Sequence, residues 1–158
     1  MKKIFLFVLL AVFMSACGQQ AIDVDDAVNT EPVLKEPPEL IVASKNNKAT
    51  AILGTYSWSY DNDDGTFTGI EADADIPPKI VHHQISRLNA DLNSDVNMVF
   101  AKAPEEIKVI IWDNSQIVRE VEVKEASFKA DRGGNIIYEI YARWDQGSAH
   151  YAIRINVQ

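Results

Sequence analysis

From Tyr138 to Val157 apolar and polar residues alternate almost without a break, and that period dictates what this chain can fold into. Tyr138, Ile140, Ala142 and Trp144 oppose Glu139 and Arg143, and further on Ala149, Tyr151, Ile153, Ile155 and Val157 oppose His150, Arg154 and Asn156. Successive side chains of a strand point to opposite faces, so a period of two puts one face on a core and the other outward. Between the two runs, Asp145-Gln146-Gly147-Ser148 supplies turn residues for a hairpin.

The same period recurs upstream. Ile107, Val109 and Ile111 alternate with Glu106 and Lys108, Asp113-Asn114-Ser115 turns the chain, and Val121 and Val123 then oppose Glu120 and Glu122. Asp131-Arg132-Gly133-Gly134-Asn135 is a further turn, with two glycines able to take positive φ. Strands are expected at 40–43, 50–60, 96–100, 106–112, 117–123, 127–130, 136–144 and 150–157. Seven or eight short strands at this spacing predict an all-β fold, an immunoglobulin-like sandwich of two antiparallel sheets. The stretch Lys79 to Asn93 differs: Val81, Ile85, Leu88 and Leu92 recur at helical spacing after Pro77-Pro78, so one short helix competes there with an irregular connection.

This β domain is expected over residues 40–158, a size suited to one core. Ahead of it, residues 18–39 carry Asp23, Asp25, Asp26, Glu31, Glu36 and Glu39 against Lys35, with Pro32, Pro37 and Pro38 and no aromatic side chain. So little apolar surface cannot offset chain entropy, and residues 17–39 are expected to form a disordered acidic tether. Residues 1–16 have the parts of an export signal: Lys2 and Lys3, an apolar run from Ile4 to Phe13, then Met14-Ser15-Ala16 before the chain's single cysteine, Cys17. The apolar run falls short of the roughly 20 residues a membrane span needs. Small residues ending on cysteine resemble a bacterial lipobox, which implies cleavage before Cys17 and lipidation of its thiol. A single thiol in an exported chain would otherwise be free to oxidise.

Cleavage there would remove two of the 15 basic residues and none of the 23 acidic ones, taking the net charge from −8 to −10. A chain this acidic is a poor partner for nucleic acid or an anionic lipid surface. Cations, basic proteins and neutral glycans suit it better.

Gly54-Thr55-Tyr56-Ser57-Trp58, Glu71-Ala72-Asp73-Ala74-Asp75-Ile76-Pro77-Pro78 and the run from Tyr138 through Ala142-Arg143-Trp144, Gly147 and Tyr151-Ala152-Ile153 together resemble a group of small uncharacterised lipoproteins of Bacillus-type bacteria, over most of residues 50–157. The resemblance implies a lipid-anchored β domain on the extracytoplasmic face of the cell membrane, Gram-positive by first expectation, and it brings no catalytic residue with it.

Motifs for chemistry are sparse. The loop Asp61-Asn62-Asp63-Asp64-Gly65 has the clustered oxygens hard cations need, but an EF-hand fails: its fifth, sixth and twelfth positions are Gly65, Thr66 and Ala72. The loop is expected to be a solvated hairpin tip with Asp-Gly supplying turn geometry, and no cofactor is expected; the alternative is calcium held by Asp61, Asp63, Asp73 and Asp75. His82 and His83 are adjacent and diverge, so a zinc or copper site would need one of them with His150 and a carboxylate. No Gly-x-Ser-x-Gly elbow, phosphate loop or dinucleotide fingerprint is present.

The aromatic residues offer the remaining site. Trp58 and Trp144 fall in the apolar parity of their strands and belong in the core, whereas Trp112 shares parity with Glu106 and Lys108, and Tyr141 with Glu139 and Arg143. Trp112 and Tyr141 are therefore the expected binding residues, and the expected role is non-catalytic binding of an envelope protein or glycan. An envelope hydrolase working through surface carboxylates and a calcium-stabilised structural module are the alternatives.

Overall fold

The computed structural model describes residues 33–45 and 47–158. The export signal, Cys17 and most of the expected tether lie outside the described residues. Among those described, no helix is long and apolar enough to cross a membrane.

Alternation is realised where the sequence carries it. β1 (Leu40–Ser44), β2 (Asn47–Thr50), β3 (Ile52–Asp61), β4 (Phe67–Ala72), β5 (Leu88–Ala90), β6 (Asp95–Phe100), β7 (Glu106–Asp113), β8 (Gln116–Val123), β9 (Ser127–Lys129), β10 (Gly134–Trp144) and β11 (Gly147–Val157) form two sheets. One has four strands in the order β2-β1-β6-β9; the other has seven, β4-β3-β11-β10-β7-β8 with β5 added beside β11. All pairings are antiparallel except β5 on β11. Leu40, Val42, Val96 and Met98 of the smaller sheet and Trp58, Tyr138, Ile140, Trp144, Tyr151, Ile153 and Ile155 of the larger one share a single buried core. The chain is an all-β sandwich, as the alternation predicts.

Two stretches differ from expectation. In place of a helix through Lys79–Asn93, one turn of α1 (Pro77–Ile80) runs into a 3-10 turn at Val81–His83. Pro77 and Pro78 do start the helix, where a missing N–H costs nothing. The apolar spacing then misleads: Val81 and Leu88 are buried, but Ile85 is 99% exposed and Leu92 is exposed, because the chain extends after His83 and Leu88 joins the sheet through β5.

The tether, expected to run to Glu39, ends earlier. The Leu34 carbonyl accepts hydrogen bonds from Trp58 Nε1 at 2.9 Å and Gln146 Nε2 at 2.8 Å, and the Pro38 carbonyl accepts one from the Tyr151 hydroxyl at 2.7 Å. Leu34 packs on the core, and Pro37 and Pro38 are buried. Prolines have no N–H to leave unpaired, so a Pro-rich strap can lie on a sandwich and present only acceptors.

Candidate functional site

Only one face of the seven-stranded sheet meets the four-stranded one. The register places the residues of its other face in cross-strand rows: Lys108, Tyr141 and His150; then Ile110, Glu139 and Ala152; then Trp112, Ile137 and Arg154; then Asn135 and Asn156. Ile110 and Ala152 are buried although they point away from the core, and α1 packs against β10 and β11 on this face.

Glu139 occupies the centre of that row and is only 7% exposed. A buried carboxylate is costly unless its oxygens are hydrogen-bonded. Both are: Trp112 Nε1–H donates to Oε2 at 2.7 Å, and Oε1 lies 2.6 Å from His150 Nδ1. A carboxylate only accepts, so Nδ1 carries the proton and Nε2 of the imidazole is directed elsewhere. Tyr141 packs on the His150 ring at 5.0 Å between centroids, and Lys108 Nζ sits 5.7 Å over the Tyr141 ring. Lys108 in turn lies 3.5 Å from Glu106 and 3.6 Å from Glu120, and Arg143 bonds Glu105 at 2.6 Å and Glu106 at 3.0 Å. The Arg143 guanidinium beside Glu106 holds that carboxyl below its usual range, and Glu106 is the main cause that raises Lys108.

Beside this network is a pocket of about 260 Å3, bordered by Thr55, Ile76, Pro77, Trp112, Glu139 and His150. The segment from Ala74 into α1 forms part of its wall, and the Thr55 hydroxyl accepts from the Ala74 N–H at 3.1 Å.

Trp112 and Tyr141 therefore both face outward, as their parity predicts, and both are half-buried. They are not in mutual contact; Glu139 and His150 connect them. Trp58 and Trp144 are core residues, 5.5 Å apart edge to face. The sequence reading missed Glu139, which it placed on a solvated polar face. One signal was present: Ile110 and Ala152 break the alternation on that face, which requires a cover above them.

The expected calcium ligands do not converge. Asp61 and Asp63 sit at the tip of the β3–β4 hairpin, whereas Asp73 and Asp75 follow the far end of β4, whose six residues span roughly 20 Å at about 3.3 Å each. Calcium takes its oxygens at about 2.3–2.6 Å, so one ion cannot reach both pairs. Asp75 pairs with Lys79 at 2.9 Å, and Asp64 accepts from the Thr66 backbone and hydroxyl, which closes the turn and lowers its pKa. Among the described residues no group of three or more His, Cys, Asp or Glu side chains is placed to hold a metal ion, and His82 and His150 lie on separate elements.

Compared with known proteins, the chain matches no family model, no curated protein and no solved structure. The arrangement of residues alone therefore has to carry a functional reading.

Proposed function

We propose that this chain is a lipid-anchored module on the extracytoplasmic face of the cell membrane that binds an envelope glycan through the outer face of its seven-stranded sheet. The observation that carries the reading is Glu139, buried on the sheet face that the second sheet leaves uncovered, and fixing Trp112 and His150 at the rim of a pocket. Aromatic rings and convergent polar groups around a shallow pocket suit a sugar, whose C–H faces stack on rings and whose hydroxyls both donate and accept. A carboxylate with both oxygens already bonded serves to hold its neighbours still, which lowers the entropy lost on binding. The anchor rests on Lys2 to Cys17.

The hydrolase reading draws on a different feature of the pocket, since Asp75 and Glu139 both border it. It is the weaker reading, because Asp75 is exposed and paired with Lys79, and among the described residues no hydroxyl is hydrogen-bonded to His150.

Sedimentation with purified, insoluble cell-wall glycan tests the binding reading. The parent chain is expected to pellet with the glycan, and a Trp112→Ala, Tyr141→Ala double variant with an unchanged melting curve is expected to lose at least about 2 kcal/mol of affinity, roughly thirtyfold. Equal pelleting of both proteins, or none by the parent, sinks it. If a protein carried in the wall preparation proves to be what retains the chain, the ligand is that protein and the glycan assignment fails. For the anchor, Cys17→Ser is expected to move the chain from the membrane fraction to the soluble fraction, and retention in the membrane would contradict lipidation.

A further inference from the structure

The chain has five arginines, and they divide in two. Arg119 pairs with Asp131, Arg132 with Asp113, and Arg143 with Glu105 and Glu106. Arg87 and Arg154 have no carboxylate partner among the described residues, in a chain with 23 acidic residues. These two border the same pocket, of about 580 Å3, and no acidic residue lines it.

That pocket is lined by Asn135, Arg154 and Asn156 of the outer face of the larger sheet and by the 3-10 turn and the segment after it, and it shares no lining residue with the pocket at Glu139. It is braced by its own hydrogen bonds. Gln84 Oε1 accepts from the Arg154 N–H at 2.7 Å while Gln84 Nε2 donates to the Arg154 and Ser86 carbonyls at 3.0 and 2.8 Å, so the loop carrying Arg87 is tied to β11 beside Arg154. Asn156 donates to Asn89 at 3.1 Å, and His82 is a further lining residue. The only acidic residue in β10 and β11 is Glu139, and its oxygens are taken by Trp112 and His150.

We infer that this pocket binds an oxyanion carried on a hydroxylated molecule, a phosphate- or carboxylate-bearing sugar or polyol. The guanidinium fork matches phosphate and carboxylate with paired, charge-assisted hydrogen bonds, while side-chain amides and imidazole match hydroxyls. A cationic ligand would meet two uncompensated positive charges there, and an apolar one would strand the amides. A local inversion of sign on an acidic surface also concentrates the field where the ligand enters and repels other polyanions from the remaining surface. The inference stands on its own lining residues and holds whether or not the pocket at His150 takes a glycan.

The test is calorimetric titration of the full chain in detergent at low salt with glucose 6-phosphate, glucuronate, inorganic phosphate and glucose. Saturable binding of at least one of the two anionic sugars is expected, with glucose about tenfold or more weaker, and with Arg87→Gln and Arg154→Gln each weakening the bound anion by about tenfold or more. Arg87 is exposed on a loop, so its replacement does not threaten the fold and keeps the test valid if the Arg154 variant is unstable. Lys48→Gln, on the opposite sheet, should leave the affinity unchanged. Which anionic sugar binds more tightly tells phosphate from carboxylate. Binding of inorganic phosphate alone, equal binding of glucose, an equal loss in the Lys48 variant, or no saturable binding of any anion would each overturn the inference.

Discussion

Replacing Gly147 by alanine should cost this protein on the order of 3 kcal/mol or more, the largest loss expected from adding a single methyl group anywhere in the described fold. Gly147 opens β11 after the Asp145-Gln146 turn and lies opposite Trp58 of β3, at φ 152°. A Cβ built there overlaps the Ser57 carbonyl oxygen and comes within 2.9 Å of the Ser57 carbonyl carbon and 3.0 Å of the Trp58 Cα. These are backbone atoms of a paired strand, so no side chain can swing aside, and relief requires β3 and β11 to part. In thermal unfolding the midpoint should fall by roughly 10 °C or more. Gly69 provides the control: it sits on edge strand β4 with nothing within 4 Å of an added Cβ, and Gly69→Ala should change stability by less than about 0.5 kcal/mol. Similar melting curves for the two variants would contradict the close approach at Ser57.

Trp58→Ala should be comparably damaging, by about 3–5 kcal/mol, because it removes one of the two indoles in the core. Trp58 is 1% exposed and begins a chain of edge-to-face rings that continues through Trp144 and Phe100 to Tyr151. Its indole N–H also holds the Leu34 carbonyl, one of three hydrogen bonds that strap residues 34–38 to the sandwich. Trp58→Phe separates the two roles, since it keeps a ring against Trp144 and loses only the anchor. Its stability should fall by about 1–2 kcal/mol, while trypsin cleavage after Lys35 should accelerate markedly relative to the parent. Unchanged cleavage at Lys35 would show that the strap does not depend on Trp58.

Both predictions rest on a hairpin that was legible in the sequence. β10 and β11 bury one face and, apart from Glu139 and Ala152, leave the other at least partly open, and period two survives in the residues for that reason. Where burial is not one-sided, the sequence was silent. β4 is an exposed edge with Gly69 in its middle, so no apolar alternation marks it. β5 is three residues long, and Leu88 was read as part of a helical spacing that Ile85 and Leu92 only mimic. The strap at 34–38 looked like tether because its composition is acidic and Pro-rich, yet its stability comes from carbonyls that receive bonds from Trp58, Gln146 and Tyr151, partners far away in sequence.

The candidate site was half legible for a related reason. Parity sufficed to turn Trp112 and Tyr141 outward, because parity depends only on the strand they occupy. It could not show that α1 would pack against β10 and β11 on that face, where Glu139 becomes a buried hub in place of an ordinary surface glutamate. Net charge is likewise blind to local arrangement: Arg87 and Arg154, 67 positions apart by their numbers, are placed at one pocket by β5 pairing alongside β11.

The most direct test of the outer face as the binding surface uses the three indole N–H groups. Trp58 donates to Leu34 and Trp144 to Lys102, both within the core end of the sandwich, whereas Trp112 donates to Glu139 on the outer face. In a two-dimensional 1H–15N spectrum the three give separate signals, assigned by single Trp→Phe variants. Titration with a soluble digest of cell-wall glycan should shift the Trp112 indole signal in a saturable way and leave the other two in place. A saturable response at Trp58 or Trp144 with Trp112 unmoved would place the binding surface elsewhere and contradict this account.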